Sequence, residues 1–363
     1  MSIEAGALGR LTIDLAAIAA NWRDLCVRHP WGAVAGVVKA DAYGLGATRV
    51  APALHEAGCR HFFTAHLSEA AAIAPLVQGA MVAELNGLPE GSESAFVDLG
   101  VVPALGTPGE VARWAATARR LERRLPALLH VDTGMNRLGL SAAEVVALAE
   151  DPGWLDGLEL RYVMTHLVAG EVPDDPANAQ QRQRFAAACA MLPAAARSFA
   201  NSSGIFLGEG FGSDLARPGA ALYGINPTPG APNPMRQVVR LQARVLAVRE
   251  VGVGDSVGYN ATWRAARPSR IATVGAGYAD GWLRSHSNRG HVVFDGACLP
   301  LVGRVSMDLI TIDATDAPAL REGGWVDLIG PGRGPDDVAE AGQTNGYEIL
   351  TALGRRYART WMS

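Results

Sequence analysis

Short apolar runs alternate with helix-periodic stretches over the first two-thirds of the chain. The β-prone runs are Val34–Lys39, Phe62–Ala65, Met81–Leu85, Val101–Leu105, Ala127–Asp132, Leu160–Thr165, Arg197–Asn201 and Gly219–Tyr223. Between them lie alanine-rich segments such as GEVARWAATARRLERRL and SAAEVVALAE, whose apolar residues recur at helical spacing. Eight strand-then-helix units in succession predict a (β/α)8 TIM barrel. A doubly wound open sheet alternates in the same way and is the competing fold.

The rhythm breaks at NPTPGAPNPM, Asn226 to Met235, where four prolines remove backbone donors. Beyond it, QVVRLQARVLAVREV, SRIATVGAGYA, HVVFDG, DLITIDA and WVDLIG are β-branched runs separated by Gly, Asp or Pro turns. The α/β pattern therefore divides into a barrel over 1–228 and a mostly β domain over 229–363. The first residues, to about position 10, are expected to pack with the β domain.

Composition narrows the classes. Hydrophobic residues make up 49% and charged residues 19%, as in ordinary globular proteins. A net charge of −4 without basic clusters argues against nucleic acid as a partner. No run is apolar for long enough to suggest a membrane span. The N-terminal MSIEAGALGR lacks the marks of a secretory signal, so a cytoplasmic location is expected. Cys26, Cys59, Cys189 and Cys298 form no CxxC or His/Cys ligand spacing, and neither a metal site nor a disulfide framework is expected.

The chemistry begins at GVVKADAYGLG, because Lys39 is the only lysine in 363 residues. At the C-terminal end of the first barrel strand it would point into the mouth where such barrels place their sites. Burial disfavours an ammonium, which makes the amine a usable nucleophile toward a carbonyl. Snorkelling of the head group to solvent is the plain alternative. Other strand ends carry Asp132 and Arg137 in HVDTGMNRLGL, His166 after Thr165, FANSS, and RPGAALYG. Ser202 and Ser203 with the amides around Gly219 and Ala220 would suit a phosphate. A lysine for a Schiff base beside a phosphate cradle implies pyridoxal phosphate.

At this point the motifs VVKADAYGLG, HVDTGMNRLGL, FANSSG, ARPGAALYG, GYNATW, GYADGW, GRVSMD and NGYEIL together resemble the alanine racemase family, from Leu11 to Tyr357. The resemblance implies a barrel, a C-terminal β domain and a homodimer whose two sites are shared. It implies L-alanine and D-alanine as the amino-acid substrates. Lys39 would carry pyridoxal 5'-phosphate and act as one base, and Tyr259, arriving from the partner subunit, would be the other. Tyr43, Asn201, Ser202, the amides of Gly219 and Ala220, and Tyr347 would hold the cofactor, chiefly its phosphate. Arg217 would face the pyridine nitrogen, with His166 linking it to the ring environment. Arg137 would approach the phenolic oxygen and the substrate carboxylate. Met307 would offer its amide to that carboxylate beside Asp308, and Tyr278 would line the entrance. A phenol titrates near 10 and is a weak base at neutral pH, so cationic character from a His166–Arg217 chain is the expected support. Arginine does not give up its proton, so Arg217 would leave the ring nitrogen unprotonated and suppress transamination.

The chain departs from the family at His130, where many members carry a lysine carboxylated to an anion that orients the arginine. Either a bound anion such as chloride or a neutral His130 would then position Arg137. Rival readings are a racemase of broader or different specificity, for serine or basic amino acids, and a decarboxylase on the same barrel. The decarboxylases use a cysteine motif in the second domain, whereas Cys298 sits in DGACLP.

Overall fold

A computed structural model describes residues 6–363. Strand β1 (Gly9–Asp14) precedes the helix Leu15–Arg28, whose first turn is capped by Asp14 accepting from the Ala17 amide at 2.7 Å. The barrel strands follow: β2 (Ala33–Val34), β3 (Gly36–Val37), β4 (His61–Thr64), β5 (Met81–Glu84), β6 (Val102–Leu105), β7 (Leu125–His130), β8 (Leu158–Met164), β9 (Ala196–Ser198) and β10 (Leu215–Ala216). They pair in parallel in the order β2-β10-β9-β8-β7-β6-β5-β4-β3. β2 and β3 are halves of one strand, which pairs with β10 on one side and β4 on the other and so closes the barrel. Closure excludes the doubly wound sheet.

The period-two alternation of strand side chains sorts the core into two layers. Ala35, Val37, Phe63, Ala83, Ala104, Leu128, Met164 and Leu215 fill the barrel interior. Their neighbours Val34, Phe62, Val82, Leu129 and Val163 face the surrounding helices. Three of those helices, Leu67–Ile73, Pro108–Arg120 and Ala142–Glu150, start in capping boxes closed by Glu69, Glu110 and Glu144.

The sequence places the eighth strand at Gly219–Tyr223, and the structure moves it. The strand is β10, and Ala220–Tyr223 is a 3-10 turn entered from Pro218, which has no amide to give a ladder. The run AALY is apolar because all four residues are buried, not because they are extended.

The second domain is built on β11 (Val239–Val251), followed by β12 (Ser256–Val257), β13 (Trp263–Arg264), β14 (Ser269–Val274), β15 (His291–Phe294), β16 (Ala297–Pro300), β17 (Ile310–Asp313), β18 (Trp325–Ile329) and β19 (Ala358–Met362). The main sheet runs β16-β15-β18-β11-β1-β19, and β14 bridges β11 to β17. β1 thus lies between two C-terminal strands, antiparallel to β11 and parallel to β19. Two short helices, Pro335–Gly342 and Gly346–Ala352, return toward the barrel mouth. Among the described residues no helix is long and apolar enough to cross a membrane.

Candidate active site at the barrel mouth

A cavity of about 490 Å3 opens at the C-terminal ends of the barrel strands. Lys39, Tyr43, Arg137, His166, Asn201, Ser202, Arg217, Gly219, Ala220 and Tyr347 all line it, although they span more than 300 positions of sequence. Lys39 is half-buried at the end of the first strand. Burial pulls its ammonium below the ordinary lysine value and Arg137 pulls it further, against an opposing pull from Glu69.

The backbone after Lys39 is unusual. Ala40, Asp41, Ala42 and Tyr43 have φ of 53°, 53°, 55° and 55°, a left-handed turn that Gly44 continues at 82°. It carries the Tyr43 ring onto Tyr223, stacked at 4.7 Å, with Tyr347 edge-on at 6.4 Å. The Tyr223 hydroxyl donates to the Val37 carbonyl at 2.9 Å, which fixes that stack to the strand bearing Lys39. Burial pushes the Tyr43 phenol up to about 12, so it stays protonated. The Tyr347 hydroxyl donates to Glu171.

Arg217 is the buried cation of the site, 5% exposed. It donates through Nη1 to Ser198 Oγ and through Nη2 to the Thr165 carbonyl, both at 2.5 Å, and burial lowers it only to about 10. Among the described residues no carboxylate pairs with it. His166 is pushed down to about 3 by burial, then by Arg217, Arg137 and Lys39. It is therefore neutral, which corrects the expectation of a cationic His166–Arg217 chain: the positive charge rests on the arginine alone. His130, also buried, is pushed down to about 4 by burial and Arg217, and shares a smaller cavity of about 130 Å3 with Arg137.

Opposite Arg217, Ser202 Oγ accepts from the amides of Gly219 (3.0 Å) and Ala221 (3.2 Å). A Cβ on Gly219 would lie 2.3 Å from the Tyr43 hydroxyl, so only glycine lets tyrosine, serine and backbone converge there. Asn201 Oδ1 accepts from the Gly204 amide at 2.9 Å and shapes the same loop. The donor set fits a phosphate at one end, and the unpaired buried guanidinium fits a ring nitrogen acceptor at the other.

Four of the residues named from sequence lie elsewhere in this chain. Tyr259, 67% exposed, shares a shallow site on the β domain with Arg304, Ser306 and Leu309. Tyr278 and Met307 are exposed beside it, joined where the Tyr278 amide donates to the Ser306 carbonyl at 3.0 Å. Asp308 accepts from Arg356 at 2.8 Å, in an ion pair shared with Asp280. Asp132 does not line the cavity either: its carboxylate accepts from the amides of Gly134, Met135 and Asn136, building the loop that presents Arg137. No sequence motif marks Gln181, which donates to Thr133 and to the His166 carbonyl and accepts from the Val168 amide. Glu69 was equally hidden, its only signal being the N3 position of a capping box.

Residues 13–227 match the family description "Alanine racemase, N-terminal domain" and residues 238–361 match "Alanine racemase, C-terminal domain". This chain belongs to the alanine racemase family. It is 56% identical over 349 residues to an alanine racemase of Acidiphilium cryptum, covering 96% of this chain and 97% of that one. A catabolic alanine racemase of Mesorhizobium japonicum is 49% identical, covering 99% and 94%. Among solved structures, an alanine racemase from Bartonella henselae with covalently bound pyridoxal phosphate superposes with a TM-score of 0.95 at 42% identity, covering 98% of this chain and 100% of that one.

Proposed function

We infer that this protein interconverts L-alanine and D-alanine with pyridoxal 5'-phosphate as cofactor. The observation that carries the reading is the meeting, in one cavity, of the only lysine with a buried, carboxylate-free Arg217 and a glycine–serine–tyrosine cradle. Bound there, pyridoxal phosphate supplies an electrophilic aldehyde carbon and a conjugated ring that accepts negative charge from the α-carbon.

The chain supplies the rest. Lys39 Nζ, its ammonium form disfavoured by burial, anchors the cofactor and then takes or returns the α-proton on one face. Ser202, Tyr43, Tyr347 and the amides of Gly219 and Ala220 hold the phosphate, with Asn201 shaping their loop. Arg217 faces the ring nitrogen and, because a guanidinium keeps its protons, leaves that nitrogen unprotonated. By leaving that nitrogen unprotonated, Arg217 would weaken the electron sink and so favour return of the proton to carbon over transamination. Arg137 receives the substrate carboxylate. Neutral His130 sits beside it where a carboxylated lysine stands in many relatives.

The second base must come from outside this chain's own cavity. We propose a homodimer in which the partner subunit's Tyr259 works the opposite face of the α-carbon. The partner's Met307 amide, Asp308 and Tyr278 would complete the carboxylate pocket and entrance. The exposure of Tyr259, Tyr278 and Met307 on one surface supports this arrangement. We also propose a division near residue 228 between barrel and β domain, a cytoplasmic location, and delivery of D-alanine to cell-wall synthesis.

Incubation with L-alanine in deuterium oxide tests the activity. Accumulation of α-deuterated D-alanine is expected; release of carbon dioxide or pyruvate as main product would transfer the protein to another reaction class.

A further inference from the structure

Four consecutive non-glycine residues in the left-handed region follow Lys39. Each costs about 1–2 kcal/mol relative to ordinary backbone, so the turn persists only where neighbours hold it. Two carboxylates do so. Asp41 Oδ1 accepts from the Ala47 amide at 2.7 Å and ties the turn to the helix Ala47–Glu56. Glu69 holds the other end: Oε1 accepts from the Ala40 amide at 2.7 Å, and Oε2 accepts from the amides of Ala65 (2.9 Å) and His66 (3.3 Å).

The three capping-box glutamates separate this role from ordinary capping. Glu144 accepts only from its own N-cap residue, Ser141. Glu110 caps Thr107 and also reaches the Leu88 amide across the adjacent loop. Glu69 makes its shortest bond across the gap, to the amide directly after the lysine.

The geometry points to Glu69 as a positioning residue for Lys39, its carboxylate clasping the turn that follows the lysine to the end of the neighbouring strand. The inference rests on Lys39 being the cofactor lysine. Glu69 also places a negative charge near the amine. The other charge acting on Lys39 is Arg137, and His166, which also faces the cavity, is neutral. Glu84, behind Glu69, is pushed up to about 7 by burial, then by Glu110 and Glu69. Glu69 is thus the carboxylate that opposes Arg137 at the lysine.

The test compares full-length Glu69→Gln with Glu144→Gln, which removes the same cap charge without a clasp. Because there is one lysine, trinitrobenzenesulfonate modification of the cofactor-free protein, read by peptide mass at residue 39, reports that amine alone. In Glu69→Gln the modification midpoint is expected to move to lower pH and kcat to fall about 10- to 100-fold, with KM changing less. Glu144→Gln should move neither, while costing similar thermal stability. Equal midpoints and equal kcat in the two variants would overturn the clasp. Borohydride reduction of the parent with bound cofactor separates the two levels: failure to label residue 39 defeats the underlying reading, whereas labelling with unchanged Glu69→Gln behaviour defeats only this inference.

Discussion

At the scale of single residues, burial rather than pairing sets the charges of the site. Lys39, His130 and His166 are pushed toward their neutral forms, and Arg217 is the cation that stays. The histidines carry a cost that appears in acid. With folded values of about 3 and 4 against an ordinary 6.5, both are neutral in folded and unfolded chains above that value. As pH falls below it, the unfolded chain binds protons first, and stability declines until the folded values are reached. Thermal midpoints should therefore drop between pH 6.5 and about 4, each histidine contributing up to about 1.4 kcal/mol per pH unit. His130→Asn should flatten that slope, as calorimetry across the range would show. Gly219→Ala makes a second prediction: a Cβ 2.3 Å from the Tyr43 hydroxyl displaces that ring, so cofactor retention on dialysis should fall at least about tenfold while the protein still folds. Lys39 stood out in the sequence because it is unique, and it lines the mouth cavity. The neutrality of His166 was not legible there, since it depends first on desolvation and then on the cations brought near it by the closed barrel.

At the scale of elements, the left-handed turn decides what substitutions the site tolerates. Ala40 is exposed, so replacing it changes backbone preference more than packing. Ala40→Val puts a β-branched residue at φ 53° and should cost about 2 kcal/mol or more. Ala40→Gly should be near neutral in stability, relief of strain offsetting the greater freedom of its unfolded chain. Urea titration of both variants checks this, and equal costs would show that the turn is not strained. Seven barrel strands could be read because each is an apolar run between turn residues. The eighth could not: Leu215 and Ala216 give the pattern almost nothing, while the better apolar run next to them folds as a 3-10 turn. The turn itself left no trace in KADAY, a sequence that local preference would wind the other way.

At the scale of the whole molecule, Tyr259 stands exposed on the β domain, apart from the cavity that holds Lys39. If two subunits exchange Tyr259, inactive Lys39→Ala and Tyr259→Ala proteins should complement each other. Random reassortment makes half the dimers mixed, each with one intact site, so about a quarter of the parental activity should return. Recovery of none, under conditions where subunits demonstrably exchange, would place both bases in one chain. Nothing in the local pattern of the sequence joins Tyr259 to Lys39; only the ordered motifs of the family did. Nor does local pattern show that residues 9–14 pair with strands more than 200 positions away, because hydrophobic alternation names a buried face and not its partner.

That long-range pairing has a temporal side. β1 is made before the barrel strands, yet both its neighbours, β11 and β19, are made after the entire barrel. The last of them, β19, also grips the loop beyond the lysine: Arg359 donates to the Gly44 carbonyl and Trp361 to that of Leu45. A nascent chain can thus complete its barrel and still lack the strands that flank β1 and the two bonds that β19 makes to the loop beyond Lys39. Synthesis of β19 is what completes both.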